Sequence, residues 1–219
     1  MRPADPAGGV VNVLVVAPHP DDESIGCGGA IGVHRAEGSA ITVVWLTSGE
    51  AGTGPMSVDE GRRLRESEAL QAAEVLAVAD TLFQRLSDGL LDQQVDAATA
   101  QLTRIISRLQ PHTIYAPHAG EDHPDHRAAH KATAGALEAS GHVADLWGYE
   151  VWTPLSSFDT VLPIDDHMDR KLRAIRCHRS QLERYRFDRA AEGLGAHRGA
   201  LAGGCRYAEV FARGGLIGP

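Results

Sequence analysis

Short apolar runs alternate with longer amphipathic stretches along this chain, and this alternation constrains its fold more than any other feature. Residues 10–18 form a nearly continuous apolar, β-branched run, which is typical of a central parallel strand buried on both faces. Residues 92–110 carry apolar side chains at three- and four-residue steps and stop at Pro111, as a helix does. The pattern predicts an α/β fold, a Rossmann-like three-layer αβα arrangement around a mostly parallel sheet.

The other elements are expected at regular intervals along the chain. Further strands are expected over residues 40–47, 81–86, 113–116, 146–151, 160–162 and 207–211, and further helices over 24–37, 58–78, 124–140 and 166–185. Ser57 and Glu60 form a capping-box pattern at the start of one helix, and a Gly-rich tail holds the last strand. A strand order of 3-2-1-4-5 would make strands 1 and 4 neighbours where the order reverses, which is where open α/β sheets bind ligands.

Size and composition limit the classes of protein that the chain can represent. Its 219 residues fit one domain, with residues 1–9 as a loose, Pro/Gly/Ala-rich tail. The net charge of −8 and the lack of a basic block argue against nucleic-acid binding, and the first apolar run is too short to span a membrane. Cys27, Cys177 and Cys205 form no CxxC pattern, so neither a disulfide framework nor a thiolate metal site is supported, and a cytoplasmic location is expected.

Two loops rich in histidine and carboxylate come directly after two of the expected strands. The first reads HPDDE from His19, and the second reads EDHPDH and ends at His126. His19 and Asp22 are three residues apart, as are His123 and His126, so each pair can converge on one point if its loop turns into a helix. Imidazole and carboxylate ligands without thiolate suit a catalytic Zn²⁺ that keeps a position for water, while Fe²⁺ and Mn²⁺ stay open on ligand type.

The stretches APHPDDExIGxGGxI and HPDHRxAHxA resemble the LmbE/PIG-L superfamily of zinc-dependent N-deacetylases. Supporting segments are TSGEAGT, the helix with Arg65, the Ser87-Asp88-Gly89 turn and HRSQ from His178. The resemblance implies removal of an acetyl group from an N-acetylglucosaminyl conjugate, which in that superfamily is a glycolipid, a thiol precursor or an antibiotic sugar. It also implies that the partner is a small-molecule amino-sugar conjugate, and that a homo-oligomer is possible.

The resemblance assigns roles to seven residues. The metal ligands would be His19, Asp22 and His126, the catalytic residues Asp21 and His123, and the sugar-binding residues Arg65 and Asp88. The implied chemistry is consistent: amide hydrolysis needs water activated by the metal, a base that returns its proton to the amine, and a donor to the oxyanion.

Several nearby residues allow more than one interpretation. Asp125 either orients an imidazole or favours the start of a helix. Glu23 either supports the ligands or favours the helix start, and it is interpreted as a helix-start acid. Glu50 lies in a Gly-rich loop at the border of the expected pocket. His178 is interpreted as structural or as part of a subunit contact. The remaining histidines show no partner in the sequence and are interpreted as ordinary, namely His34, His112, His130, His142, His167 and His197.

Three other functions remain open at this point. An amidase that cleaves a larger acyl group or a thiol conjugate would use the same loops. A non-haem iron oxygenase also uses two histidines and one carboxylate, although on antiparallel β-structures rather than a parallel sheet. A nucleotide-binding module is suggested by GCGGAIG, but this segment lacks the GxGxxG register directly after the strand.

Overall fold

A computed structural model describes residues 10–78, 80–202 and 204–214. The expected tail at residues 1–9 lies outside these described residues. The strands are β1 (Asn12–Ala17), β2 (Ala40–Thr47), β3 (Asp80–Leu86), β4 (Thr113–Pro117), β5 (Asp145–Tyr149), β6 (Thr160–Pro163) and β7 (Ala208–Arg213). The α-helices are α1 (Asp22–Ala36), α2 (Val58–Leu76), α3 (Val95–Leu109), α4 (Pro124–Ser140), α5 (Met168–Ile175), α6 (Arg179–Leu182) and α7 (Phe187–Ala202).

One sheet of seven strands runs through the molecule in the order β3-β2-β1-β4-β5-β7-β6. Strands β3, β2, β1, β4 and β5 pair in parallel, and β7 pairs antiparallel with both β5 and β6. The predicted α/β class and the order 3-2-1-4-5 are therefore confirmed. Because β1 and β4 are neighbours, the loops that follow them emerge side by side at the carboxyl edge of the sheet.

The core lies on both faces of the sheet, as the apolar sequence of β1 requires. Val13 and Val15 pack on one face with side chains of α1, α2 and α5. Leu14 and Val16 pack on the opposite face with side chains of α3 and α4. Burial on both faces leaves the strand ends as the place where polar side chains can meet solvent.

Helix α1 lies unusually close to the sheet. A Cβ at Gly26 would lie 2.1 Å from Cδ2 of Tyr149, so no larger residue fits there without movement. The helix is kinked at Cys27, whose φ of −140° is not helical. Beyond the kink, the backbone N–H groups of Gly29 and Ala30 donate to the buried carboxylate of Glu209 on β7. This close docking fixes the direction of the α1 N-terminus, which carries the first polar loop into the site.

The C-terminal third differs from the sequence expectation in two ways. The single helix expected over 166–185 is two helices, because the backbone leaves the helical region at His178 (φ −80°, ψ 62°). Residues 187–202, expected to belong to a Gly-rich tail, form helix α7. One of its glycines serves packing: a Cβ at Gly199 would lie 2.7 Å from the carbonyl carbon of Arg206. At this position the glycine that suggests a loop reflects a close tertiary contact.

Other elements agree with expectation. Ser57 caps α2 through the predicted capping box with Glu60, and the loop before it contains a 3₁₀ turn at Glu50–Thr53. Within the described ranges, none of the helices is both long enough and apolar enough to cross a membrane.

Candidate metal centre and active site

The two polar loops meet beyond the carboxyl ends of β1 and β4. Asp22 is the first residue of α1, and its Oδ2 accepts a hydrogen bond of 2.9 Å from the backbone N–H of His19. His126 lies in the first turn of α4, which begins at Pro124. A carboxylate in a first helical turn is stabilised by the helix dipole, so this end of α1 suits an anionic ligand.

The carboxylate of Asp22 lies between two imidazoles. Its Oδ2 is 3.1 Å from Nδ1 of His19 and 3.3 Å from Nε2 of His126. Ligand atoms held about 2.0–2.1 Å from a tetrahedral zinc ion lie about 3.3 Å apart, so the observed spacing suits one ion between them. The three ligand atoms all lie within 4.8 Å of one another. The structure thus brings together the three residues that the sequence nominates as ligands.

The surroundings of the His126 ring favour a cation between His126 and Asp22. Its ring is fully buried, yet neither ring nitrogen has a hydrogen-bond partner among the described residues. Burial alone lowers the pKa of His126, but the Asp22 carboxylate outweighs it and raises that pKa to about 9. Burial raises the pKa of Asp22, but His126 and His19 together hold it well below its ordinary range. The site therefore favours positive charge between these groups, and a metal ion could supply it in place of protons.

The outer nitrogens of both imidazoles face carboxylates. Nε2 of His19 is 3.1 Å from Oδ1 of Asp88 and 3.2 Å from Oδ2 of Asp125. Nδ1 of His126 is 3.7 Å from Oε2 of the buried Glu121. Carboxylates in this position fix the orientation of a ligating imidazole and increase its basicity. For Asp125, the first of its two interpretations is supported, since it contacts an imidazole of the site.

A second group of side chains, His19, His123 and Asp125, also has the spacing of a metal site. Its members already have protein partners, however. Asp125 accepts backbone hydrogen bonds from Gly89 (2.8 Å) and Leu91 (3.0 Å), and Nδ1 of His123 accepts one from the N–H of Asp125. The unpartnered nitrogens of His126 favour the first group.

Asp21 adopts a backbone conformation that is strained for any residue other than glycine, with φ at 124°. Its Oδ2 lies 3.2 Å from Nη2 of Arg65, which also donates to the carbonyl oxygen of Pro20. Burial raises the pKa of Asp21 to about 6, against the opposing charge of Arg65. A carboxylate with such a pKa is suited to accept and return a proton near neutral pH.

Glu23 lies in the first turn of α1, where a helix-start acid is expected, and its contacts show that it also supports the loop that carries the ligands. Its side chain is buried and accepts hydrogen bonds from the backbone N–H of Asp21 (3.1 Å) and from Nε1 of Trp45 (2.8 Å). Nε2 of His178 lies 3.6 Å away, in the core of the protein. His178 is therefore a structural residue. It packs behind the Glu23 carboxylate, which accepts a hydrogen bond from the backbone N–H of Asp21.

His123 is the N-cap residue of α4 and borders the pocket. Because its Nδ1 accepts the backbone N–H of Asp125, the proton of the neutral ring resides on Nε2. Burial, together with the charges of His19 and His126, lowers the pKa of His123. A neutral imidazole with its remaining N–H free to donate is the form needed to stabilise an oxyanion.

A pocket of about 240 Å³ opens above these residues. Six of the seven residues nominated from the sequence line it, namely His19, Asp21, Asp22, Arg65, Asp88 and His123. The seventh, His126, is fully buried and is not among the lining residues. Arg65 is only 2% exposed, so its guanidinium is part of the interior of the site rather than of an exposed salt bridge. Oδ2 of Asp88 accepts the backbone N–H of Ala51, which ties the loop beside Glu50 to the pocket rim.

A larger cavity of about 540 Å³ lies beyond β4 and β5. None of the seven nominated residues lines it, although His118 and His130 do. Both imidazoles are already bonded to backbone oxygens, of Thr153 and Pro117. The smaller pocket is therefore the candidate active site.

Sequence reasoning missed Glu121 and Trp152. Glu121 is visible within the second loop, but only its contact with residues 151–153 shows what it holds. Trp152 carries no motif, and it reaches the pocket from the loop after β5.

By its fold and its site, this is an α/β protein with a His–Asp–His group at the carboxyl edge of its parallel strands, and this group could hold a metal ion. The chain belongs to the PIG-L family, since the family model described as GlcNAc-PI de-N-acetylase matches residues 14–137.

Two curated relatives and one solved structure illustrate the similarity. The 1D-myo-inositol 2-acetamido-2-deoxy-alpha-D-glucopyranoside deacetylase of Mycobacterium leprae is 31% identical over 161 residues, covering 61% of this chain and 52% of that protein. The probable N-acetyl-alpha-D-glucosaminyl L-malate deacetylase 2 of Bacillus subtilis is 30% identical over 185 residues, covering 78% and 84%. A conserved protein of Thermus thermophilus superposes with a TM-score of 0.84 at 28% identity, covering 96% of this chain and 98% of the other. The chain thus spans about half the length of the mycobacterial relative.

Proposed function

We propose that this protein is a zinc-dependent hydrolase that removes the N-acetyl group from an N-acetylglucosamine-type sugar conjugate, releasing acetate and a free amine. The observation that carries the proposal is the position of the Asp22 carboxylate, 3.1 and 3.3 Å from two imidazole nitrogens, beneath a pocket that Asp21 and His123 border. Membership of the PIG-L family and the names of the two curated relatives support the choice of an acetylated amino sugar.

In this proposal, Nδ1 of His19, Oδ2 of Asp22 and Nε2 of His126 hold the metal ion. Two imidazoles and one carboxylate suit Zn²⁺ at a hydrolytic centre, and Fe²⁺ and Mn²⁺ accept the same donors. When bound, zinc supplies Lewis-acid chemistry and lowers the pKa of water to about 7. Asp88 and Asp125 keep the His19 ring in the orientation that presents Nδ1 to the metal.

Asp21 is the general base and acid of the proposed reaction. It takes a proton from the attacking water as the new C–O bond forms, and returns it to the sugar nitrogen as the C–N bond breaks. Arg65 holds the Asp21 carboxylate, and Glu23 holds its backbone N–H, so the base keeps one position throughout. The Nε2–H of His123 donates to the carbonyl oxygen as negative charge develops on it.

Arg65 and Asp88 are retained as residues that bind the sugar. Both line the pocket, and each also contacts a residue of the proposed machinery, Asp21 and His19 respectively. A cytoplasmic location and a homo-oligomer remain part of the proposal. The free state of all three cysteines, Cys27, Cys177 and Cys205, supports the former.

The test uses zinc-loaded protein and a panel of N-acetylglucosaminyl glycosides, with acetate and free amine measured in parallel. Wild type should carry about one divalent ion per chain and release both products in equal amounts. His126→Ala should lose the metal and the activity together. His130→Gln, which changes another buried imidazole of α4 outside the ligand group, is the matched control and should retain both.

The other functions give different outcomes in the same experiment. Cleavage of longer acyl amides with no acetate from any glycoside would favour the amidase. Oxygen uptake with iron, and no amide hydrolysis, would favour an oxygenase and overturn the proposal. Full metal retention in both His126→Ala and His19→Ala would refute the ligand assignment.

A further inference from the structure

Three aromatic side chains form one wall of the candidate active site. Trp152, Tyr185 and Phe187 all line the pocket that holds the proposed metal ligands. Trp152 meets Tyr185 and Phe187 at ring-centroid distances of 5.3 Å, nearly perpendicular in each case. We call these three residues the aromatic wall.

The wall is exposed although it is strongly apolar. Trp152 is 44% exposed and Tyr185 is 45% exposed. Exposed aromatic rings that cluster beside a polar pocket mark a surface that gains free energy when a ligand covers it. Phe158 is also exposed, at 40%, but its ring lies against the guanidinium of Arg198 and does not line this pocket.

The wall is held rigidly against the metal centre. The carboxylate of Glu121 accepts backbone hydrogen bonds from Val151 (2.7 Å), Trp152 (3.1 Å) and Thr153 (3.3 Å). It also lies 3.7 Å from the rings of His126 and His118. The turn that presents Trp152 is therefore anchored to the same carboxylate that faces a proposed metal ligand. A wall fixed in this way meets a ligand without a large ordering cost.

The size of the pocket indicates which part of a substrate meets the wall. At about 240 Å³ the pocket is smaller than the roughly 300–1,000 Å³ of typical small-molecule sites. It can enclose the acetamido end of a conjugate, while the remainder must lie at the rim. Trp152 and Tyr185 form that rim.

The charged residues of the site restrict which groups the part of the conjugate outside the pocket can carry. Among the described residues that line the pocket, Arg65 carries the single guanidinium, and it already contacts Asp21 and Pro20. Arg65 is thus engaged beside the reaction residues, and this described lining offers no lysine and no second arginine to pair with a carboxylate on the aglycone. Arg184 lies outside this lining: its Nη1 is directed to the carbonyl oxygen of Gly52, and its guanidinium carbon lies 5.7 Å from the centre of the Tyr185 ring.

We propose that the aromatic wall is an aglycone subsite that binds an uncharged six-membered ring attached to the amino sugar, through contact of the ring face with Trp152 and Tyr185. This inference rests on the proposed deacetylase function. It adds that the protein prefers a cyclitol, a second sugar or an aromatic ring over an acyclic anionic aglycone.

The experiment compares kcat/KM for four 2-acetamido-2-deoxyglucosides, whose aglycones are methyl, myo-inositol, phenyl and L-malate. Wild type should prefer the inositol and phenyl glycosides to the methyl and malate glycosides. In Trp152→Ala and Tyr185→Ala, the ratio of kcat/KM for the ring glycosides to that for the methyl glycoside should fall on the order of tenfold. Phe158→Ala is the matched control, because it removes an exposed aromatic ring outside the pocket, and its ratio should equal that of wild type.

Two further measurements keep a folding defect or a failed reaction from obscuring the result. Trp152→Phe and Tyr185→Phe retain a ring and should keep most of the ratio, whereas a general loss of structure would lower all four substrates together. Quenching of tryptophan fluorescence by phenyl glycoside, lost in Trp152→Phe, reports binding without turnover. Quenching with no acetate from any glycoside would refute the deacetylase function and leave the subsite standing.

Other outcomes would overturn the inference itself. One is an unchanged ratio in both alanine variants of an active enzyme. Another is a wild-type preference for the malate glycoside that disappears in Arg184→Ala. A third is a lower oligomer mass for Trp152→Ala by light scattering with equal losses on all four substrates, which would assign the wall to a subunit contact.

Discussion

Acidification should destabilise this protein through one buried histidine, His34 on α1. Its side chain is 2% exposed, and its Nε2 lies 2.9 Å from the hydroxyl of Tyr115. The carboxylate of Glu37 is 4.0 Å from Nδ1, and its side chain is 40% exposed. Burial lowers the pKa of His34 from 6.5 to about 4.

The sign and size of the effect follow from that difference. Below pH 6.5 the unfolded chain takes up a proton at His34, while the folded protein stays neutral there until the pH approaches 4. The unfolded state therefore binds more protons in this window, and the free energy of unfolding falls as the pH falls. The difference between a pKa of 6.5 in the unfolded chain and about 4 in the folded protein corresponds to about 3 kcal/mol when the window is crossed fully.

The assay is urea unfolding of metal-stripped protein at pH 7 and pH 4.5, for wild type and His34→Gln. The glutamine amide can still contact the Tyr115 hydroxyl but does not titrate. Wild type should lose about 2–3 kcal/mol more than His34→Gln between the two pH values. His142→Gln, which removes a half-buried imidazole bonded to Pro111, controls for the loss of a histidine as such. Equal losses in wild type and His34→Gln would refute the reasoning.

Three further predictions concern single substitutions. Asp21→Asn should keep the metal and lower turnover on the order of 100-fold, because it removes the base but not a ligand. Metal analysis and kinetics on the same sample check this. Loss of metal would mean that Asp21 is a ligand. Gly26→Ala should lower the free energy of unfolding by about 1–3 kcal/mol in thermal melts, because the new Cβ would lie 2.1 Å from Tyr149. Gly193→Ala in α7 is the control: a Cβ there would meet no atom within 4 Å, so this variant should be as stable as wild type or more stable. Ser57→Ala should cost about 1 kcal/mol by removing the cap of α2, and an unchanged melting temperature would show that the cap contributes nothing.

The sequence is sufficient to predict the parallel half of the sheet. Strands β1, β2 and β4 are buried on both faces, so their apolar runs stand out, and the polar loops that follow β1 and β4 mark the functional edge. Asp22 begins α1 and His19 lies in the loop just before it, and their side chains meet as predicted. Local patterns of this kind are visible in one dimension because each depends on a single segment.

The contacts that complete the site join distant segments and could not be predicted in this way. Glu23 resembles any acid at a helix start until β2 brings Trp45 against it and α6 brings His178 behind it. The break of the charged helix at His178 has the same origin, because that imidazole points into the core rather than along the helix surface. Helix α7 was missed because glycines that permit a close approach of Gly199 to residue 206 lower the helix propensity of the segment.

The way in which Glu121 holds the turn after β5 has a consequence for how such a protein can diversify. Its carboxylate accepts only backbone N–H groups from residues 151–153, so the anchor is indifferent to which side chains those residues carry. Any residue except proline preserves it. Substitutions at Trp152 can thus alter what borders the pocket while the geometry around His126 stays the same. New substrate preferences can therefore arise in this segment by single steps that leave the reaction centre undisturbed.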